Sequence, residues 1–150
     1  MITLKPITKD NWHAAIRLEV APEQRKFVAS NLYSIAESQF EPGTAPLGIY
    51  NEADTMVGFL MYGPYHGEMW IWRLMVDQQY QQQGYGRAAM QAMIATLHAM
   101  GYTETFLSYE PENIAGAQFY ASLGFEDTGR IDRGEIVVCL RESQRITTER

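Results

Sequence analysis

One cysteine, Cys139, is all the chain has in 150 residues. That excludes an intrachain disulfide and a cysteine-rich zinc site. Positive charge is scarce as well: 12 Lys and Arg stand against 18 Asp and Glu, for a formal net charge of -6. Nucleic acids and anionic membranes need a basic face, so this balance argues against both partners. Long apolar runs are missing, and no stretch approaches the roughly 20 residues of a membrane-spanning helix. Residues 1–6 carry none of the apolar core of a secretory leader. The expectation is a cytoplasmic protein with no nucleic-acid, membrane or metal partner. Repeats and low-complexity linkers are also absent. A single domain over residues 1–150 is expected, with a loose polar tail at 141–150.

What is present has a clear order. Residues 2–7 alternate apolar and polar and predict a first strand. Asp10 is placed to cap a short helix containing Trp12, Ile16 and Leu18. Pro22 opens a second helical stretch, 23–40, with an imperfect apolar stripe of Phe27, Leu32, Ile35 and Ala36. Glu41-Pro42-Gly43 stops it. Residues 47–50 and 56–62 predict two strands around a turn at 51–54, with Gly63-Pro64 breaking the second. After a loop at 65–68, the largely apolar run 69–76 predicts a buried strand. Short connections make these strands an antiparallel meander.

The pattern then changes. Residues 87–100 predict a helix with Met90, Met93, Ile94 and Leu97 on one face and Gly101 at its end. A strand at 103–109 completes a β-α-β crossover. A helix at 114–123, ended by Gly124, leads to a hairpin of 125–130 and 135–140 around Asp132-Arg133-Gly134. The fold class is therefore α/β: a mixed sheet of about seven strands, antiparallel at first, with one parallel crossover and about four flanking helices.

Chemistry concentrates in Gln81-Gln82-Gln83-Gly84-Tyr85-Gly86-Arg87, the turn between the apolar strand and the long helix. Two glycines there let the backbone approach a ligand and aim several N–H groups at one point. The positive end of the helix dipole adds to them, so the turn suits a phosphate or pyrophosphate. An ordinary tight turn is one reading. A dinucleotide site is another, since Gly84-x-Gly86-x-x-Ala89 fits the loose fingerprint and Glu110 stands where a ribose-binding acid is sought. Antiparallel strands before the turn, and too little chain after it, speak against that reading. Coenzyme A is the third.

A second motif bears on the choice. Asn113, Gly116, Ala117 and Tyr120 align on one face of the helix at 114–123. An ordinary buried stripe is rich in Leu or Ile. This one is an amide, two tiny residues and a phenol, while Ala115, Phe119 and Leu123 form an adjacent stripe that can face the core. Capping by Asn113 and packing by Tyr120 is the plain alternative.

Together the two motifs resemble the GNAT superfamily of acyl-CoA-dependent N-acetyltransferases. Gln81 to Gly86 matches its Gln/Arg-x-x-Gly-x-Gly/Ala signature. Asn113 to Phe125 matches its Asn-x-x-small-x-x-aromatic/Leu-Tyr-x-x-x-Gly-Phe segment, and the element order agrees along the chain. More narrowly, Trp72-Arg73-Leu74-Met75-Val76-Asp77 and Ala36-Glu37-Ser38-Gln39-Phe40-Glu41-Pro42 look like the bacterial spermine/spermidine acetyltransferases. The animal polyamine acetyltransferases carry an acidic pair where Trp72 and Arg73 stand here.

The resemblance implies an enzyme that moves an acetyl group from acetyl-CoA to a primary amine, a polyamine such as spermidine or spermine first and a peptide N-terminus, amino acid or aminoglycoside as the alternatives, with a homodimer possible by analogy. It implies that main chain from Gln82, Gln83, Gly84, Tyr85, Gly86 and Arg87 holds the pyrophosphate while Gln81 braces the turn. The pantetheine arm is implied to run along Leu74, Met75 and Val76, where this strand and the next splay apart, with Asn113 near the coenzyme. Tyr120 is implied as general acid for the leaving thiol. A polyamine acceptor implies spaced carboxylates and aromatic walls, for which Glu37, Glu41, Trp72 and Glu110 are the named candidates and Tyr33, Glu68 and Trp70 further ones. The base that deprotonates the amine is left open among Glu37, Glu41, Glu68, Glu110 and His66. His13 and His98 read as structural, and Cys139 as core. A non-catalytic acyl-CoA-binding module is the rival of a different class.

Overall fold

The computed structural model describes residues 1–142. Seven strands form one sheet in the order β1-β2-β3-β4-β5-β7-β6. The first four are β1 (Thr3–Pro6), β2 (Ala45–Tyr50), β3 (Met56–Tyr65) and β4 (Glu68–Val76), and they pair antiparallel in sequence order. Helix α3 (Tyr85–Ala99) carries the chain across to β5 (Glu104–Tyr109), parallel to β4. Helix α4 (Ile114–Ser122) then leads to the hairpin β6 (Glu126–Asp132) and β7 (Glu135–Arg141), with β7 inserted between β5 and β6. Helices α1 (Trp12–Arg17) and α2 (Asn31–Ser38) lie between β1 and β2 in sequence.

The two faces of the sheet are covered differently. On one, α3 buries Ala89, Met90, Met93, Ile94 and Leu97 against Ile49, Val57, Leu60, Ile71, Leu107 and Val138. Each large side chain so placed contributes about 1.5–3 kcal/mol. On the other face, Ala15 and Val20 pack on Met56, Phe59, Met61 and Met75. Further along that second face, Trp70, Phe106, Val137 and Cys139 form a third cluster, with Tyr65 and Trp72 against it and no helical residue in it.

Several expectations are corrected. Asp10 does not cap α1; Asn11 stands there, its Oδ1 accepting from the Thr8 N–H at 2.7 Å. The helix expected over 23–40 is two pieces: a 3₁₀ turn at Pro22–Phe27 and α2. Val28 is extended between them, and Ser30 caps α2 by accepting from the Tyr33 N–H at 3.1 Å. The restart turns the expected stripe around: Asn31 and Ser34 are buried, whereas Leu32 is 56% and Tyr33 60% exposed. Burying Asn31 is tolerable because its Nδ2 donates to the Ala15 carbonyl at 2.9 Å.

Gly63-Pro64 does not end β3, which runs on to Tyr65. Pairing with β2 stops at Tyr62, so Pro64 falls where β3 has one open side, a place a strand tolerates proline. The loop expected at 65–68 shrinks to His66-Gly67, both at positive φ (51° and 79°), the conformation a two-residue hairpin turn requires. Of the tail expected at 141–150, Arg141 belongs to β7 and the Glu142 N–H donates to the Thr103 carbonyl; the rest lies outside the described residues.

Candidate active site

The sheet opens between β4 and β5. Among the described residues their ladder has a single aligned pair, Trp70 with Phe106, although β4 continues to Val76 and β5 to Tyr109. Past that pair, main-chain groups of β4 face a gap. A shift in pairing with β3 sets Met61 opposite Arg73 and Tyr62 opposite Ile71, leaving Trp72 as the extra residue of a bulge. The gap widens into a cleft of about 860 Å³.

At one end of the cleft, unpaired backbone N–H groups converge around an open turn. Gln82 and Gly84 both adopt positive φ, 64° and 85°. No atom lies within 4 Å of where a Gly84 side chain would start, so that space is open to a ligand. The first capped N–H of α3 is that of Ala88, which donates to the Gly84 carbonyl. Those of Tyr85, Gly86 and Arg87 precede it and point along the helix axis. Gln81 holds the turn in place: its Nε2 donates to the Val76 carbonyl at 2.9 Å and to Gln24 Oε1 at 2.8 Å. Asp77 adds a second tie, accepting from the Glu19 N–H at 2.8 Å and the Gln79 N–H at 3.1 Å. Arg87 lies over the Phe119 ring and donates to Ser122, which joins α3 to α4.

Asn113 caps α4, its Oδ1 accepting from the Gly116 N–H at 3.0 Å. A Cβ on Gly116 would come within 2.5 Å of Asn113 Nδ2, so the glycine makes room for that amide to fold over the helix. Tyr120 is half-buried, stacked on Tyr109 at 6.0 Å and edge-on to Phe119 and Phe125. Burial alone pushes its phenol up to about 12. It therefore keeps its proton across the neutral range.

The other end of the cleft is aromatic and charged. Tyr65 sits edge-on to Trp70 and Trp72, at 5.1 and 5.8 Å. Glu37 accepts from Arg73 at 2.8 Å, and both are largely buried. Tyr65 donates to both oxygens of Asp132, at 3.3 and 3.2 Å, and desolvation followed by the Asp132 charge raises its phenol pKa. Ser108 donates to Glu135 Oε1 at 2.7 Å.

Leu74, Met75, Val76, Gln81, Gln82, Gly84, Tyr85, Gly86, Arg87, Asn113 and Tyr120 are brought together on this cleft, as are Glu37, Trp72 and Glu110. Gln83 and Glu41 are not in its lining. Glu68 is also outside it, held by Arg130 in two bonds of 2.9 Å that lower its pKa. His66 occupies the β3–β4 turn, and His13 and His98 lie on α1 and α3. Ala115, expected toward the core, is exposed and lines the cleft. Cys139 is buried. No group of three or more metal-binding side chains gathers among the described residues. No helix among them is long and apolar enough to cross a membrane.

Sequence reasoning missed Ser108, Asp132 and Glu135. Asp132 and Glu135 flank a short polar turn that looks like any surface hairpin. Only the insertion of β7 beside β5 carries them to the cleft.

Comparison with known proteins agrees with this geometry. The profile of the acetyltransferase (GNAT) family matches residues 12–125. A spermine/spermidine N(1)-acetyltransferase of Bacillus subtilis (strain 168) is 30% identical over 147 residues, covering 91% of this chain and 96% of that protein. Two solved structures share the fold at low identity. The ribosomal-protein-S18-alanine N-acetyltransferase of Escherichia coli has a TM-score of 0.73 at 22% identity, over 99% of this chain and 98% of that one. The PaiA N-acetyltransferase of Thermoplasma acidophilum, in complex with coenzyme A, has a TM-score of 0.71 at 17% identity, over 94% and 99%.

Proposed function

This chain belongs to the GNAT family of acetyltransferases, and from that premise we propose that it moves an acetyl group from acetyl-CoA to a primary amine of a polyamine, both bound at once. The carrying observation is the aromatic and charged end of the cleft, which a cluster of aromatic side chains lines together with carboxylates. Tyr65 and Trp72, backed by the buried Trp70, offer faces for methylene segments, and Glu110, Asp132 and Glu135 offer charge for ammonium groups. Glu37 contributes less, because Arg73 already neutralises it. The relative from Bacillus subtilis, named for spermine and spermidine, supports the same reading.

The donor end fits acetyl-CoA. The unpaired N–H groups at the start of α3 and the open space over Gly84 suit the pyrophosphate. Main chain at Leu74 and Val76, on either side of a Met75 that is paired with Phe59 of β3, suits the amides of the pantetheine arm, as an added strand would. Asn113 Nδ2 remains a donor after Oδ1 has capped α4. Acetyl-CoA supplies a thioester carbonyl open to attack by an amine. The chain's own contribution begins with position, since holding two reactants together lowers much of the barrier. Tyr120 then donates to the sulfur as it leaves, acting as general acid.

The test compares kcat/KM for spermidine, spermine and an alanine-led peptide with acetyl-CoA, reading free thiol. The polyamines are expected to lead by tenfold or more. A peptide preferred over both polyamines sinks the acceptor assignment. Acetyl-CoA binding without thiol release on any amine favours a binding module instead.

A further inference from the structure

Four carboxylates line the cleft: Glu37, Glu110, Asp132 and Glu135. Glu37 is committed to Arg73, and Asp132 takes the Tyr65 phenol on both oxygens. Glu135 differs from both. It accepts one hydrogen bond from a neutral donor, Ser108 Oγ at 2.7 Å, on Oε1. The carboxylate is thus held in place, and its second oxygen keeps the lone pairs a base needs.

Register places this pair on a particular face. Ser108 lies opposite Val137 and follows Phe106 by two residues; Glu135 precedes Val137 by two. Phe106 and Val137 belong to the cluster beneath Trp70, the face without a helix. Side chains two apart on a strand share a face. Ser108 and Glu135 therefore sit on the acceptor side. Tyr109, the next residue, stacks on Tyr120 and packs with the α3 cluster on the opposite side. Adjacent residues of β5 thus mark a carboxylate on one face and a phenol on the other, with the gap between β4 and β5 connecting them.

We propose that Glu135, positioned by Ser108, is the general base that deprotonates the acceptor amine. The inference rests on acetyl transfer to an amine, whichever amine that is. The carboxylate takes a proton from R–NH3⁺, directly or through one water. The freed nitrogen lone pair forms the C–N bond at the acetyl carbon, and the C–S bond breaks. The sulfur receives the Tyr120 proton. The nitrogen gives up its second proton, which returns to the phenol through solvent. Glu135 releases its own proton to solvent, so one proton leaves per turnover. Asp132 lies directly across the hairpin from Glu135; Arg133, Glu110 and Tyr65 line the same cleft, and Arg130 of β6 lies over Phe106 on that face, paired with Glu68.

The test is a profile of kcat/KM against pH, using whichever of spermidine, spermine and an alanine-led peptide the wild type acetylates fastest. Glu135→Gln is expected to lower kcat/KM roughly 10²- to 10³-fold at neutral pH. The deficit should shrink about tenfold per pH unit as solution supplies free amine. Acetyl-CoA affinity and thermal midpoint should stay near wild type. Ser108→Ala should cost about tenfold, and Ser108→Thr should restore most of it by keeping the hydroxyl. Should Glu135→Gln not fold, the Ser108 pair decides: a loss in Ser108→Ala that Ser108→Thr does not repair overturns the proposal. So does a Glu135→Gln loss under threefold at neutral pH, or one of equal size at every pH. Turnover of the peptide alone overturns the polyamine assignment and leaves this test intact.

Discussion

Replacing Tyr120 with Phe removes one oxygen and keeps the ring that Tyr109, Phe119 and Phe125 hold. The phenol pKa of about 12 leaves it protonated wherever the enzyme works. A thiol of pKa near 8.5 sits about 3.5 units lower, so full transfer from the resting phenol is uphill by roughly 5 kcal/mol. As the proposed general acid, Tyr120 would therefore act first as a hydrogen-bond donor to the charge growing on sulfur and complete the transfer late. A donor aimed at developing charge in a partly dry site contributes about 2.7–4 kcal/mol. Tyr120→Phe should accordingly lower kcat about 100-fold or more. Acetyl-CoA affinity should change less than threefold, because the ring surface remains. Stability should hold within about 0.5 kcal/mol, since burial is the sole cause of the raised pKa and no bonded partner is stranded. Stopped-flow thiol release gives kcat, and equilibrium titration gives affinity. Turnover within threefold of wild type removes Tyr120 from the chemistry.

Other outcomes test neighbouring parts. Spectrophotometric titration of the nine tyrosines should show a phase near pH 12 that is missing in Tyr120→Phe, while the raised Tyr65 phenol still titrates above its ordinary value in both proteins. A raised pKa in the folded state means that stability is intact below the unfolded value near 10 and falls as pH climbs through 12, so the gap between the two proteins in urea midpoint should open only above pH 10. Gly84→Ala places a side chain at φ 85° and should lose about 1–2 kcal/mol in urea unfolding and weaken acetyl-CoA binding. Gln81→Ala unties the turn from Val76 and Gln24 and should raise the acetyl-CoA dissociation constant about tenfold with a smaller change in kcat. Glu68 has a lowered pKa through Arg130, so its contribution is present above the ordinary carboxylate range and lost as pH falls through the folded value. The urea-midpoint deficit of Arg130→Gln should therefore close in acid.

Much of the architecture was legible because hydrophobic period and glycine position speak directly about backbone. The meander, the crossover through α3 and the glycine ends of α3 and α4 follow from such signals. Errors gathered where tertiary context overrides local pattern. No proline or glycine marks the extended Val28, and the capping Ser30 is easy to pass over inside an apolar periodicity. Pro64 reads as a breaker until β2 is known to have ended. The geometry of the turn at 81–87 and of the Asn113–Tyr120 helix face was readable because each is built from one contiguous stretch of chain. The aromatic and charged end of the cleft was not, because Tyr65, Ser108 and the Asp132–Glu135 hairpin come from three places that only sheet order assembles.

The most direct measurement of the central claim is mass spectrometry of the amine after a single turnover with acetyl-CoA and equimolar spermidine and alanine-led peptide. One acetyl group is expected on spermidine, matched mole for mole by free coenzyme A. Acetyl found on the peptide with spermidine untouched, or acetyl-CoA left intact beside both, contradicts it.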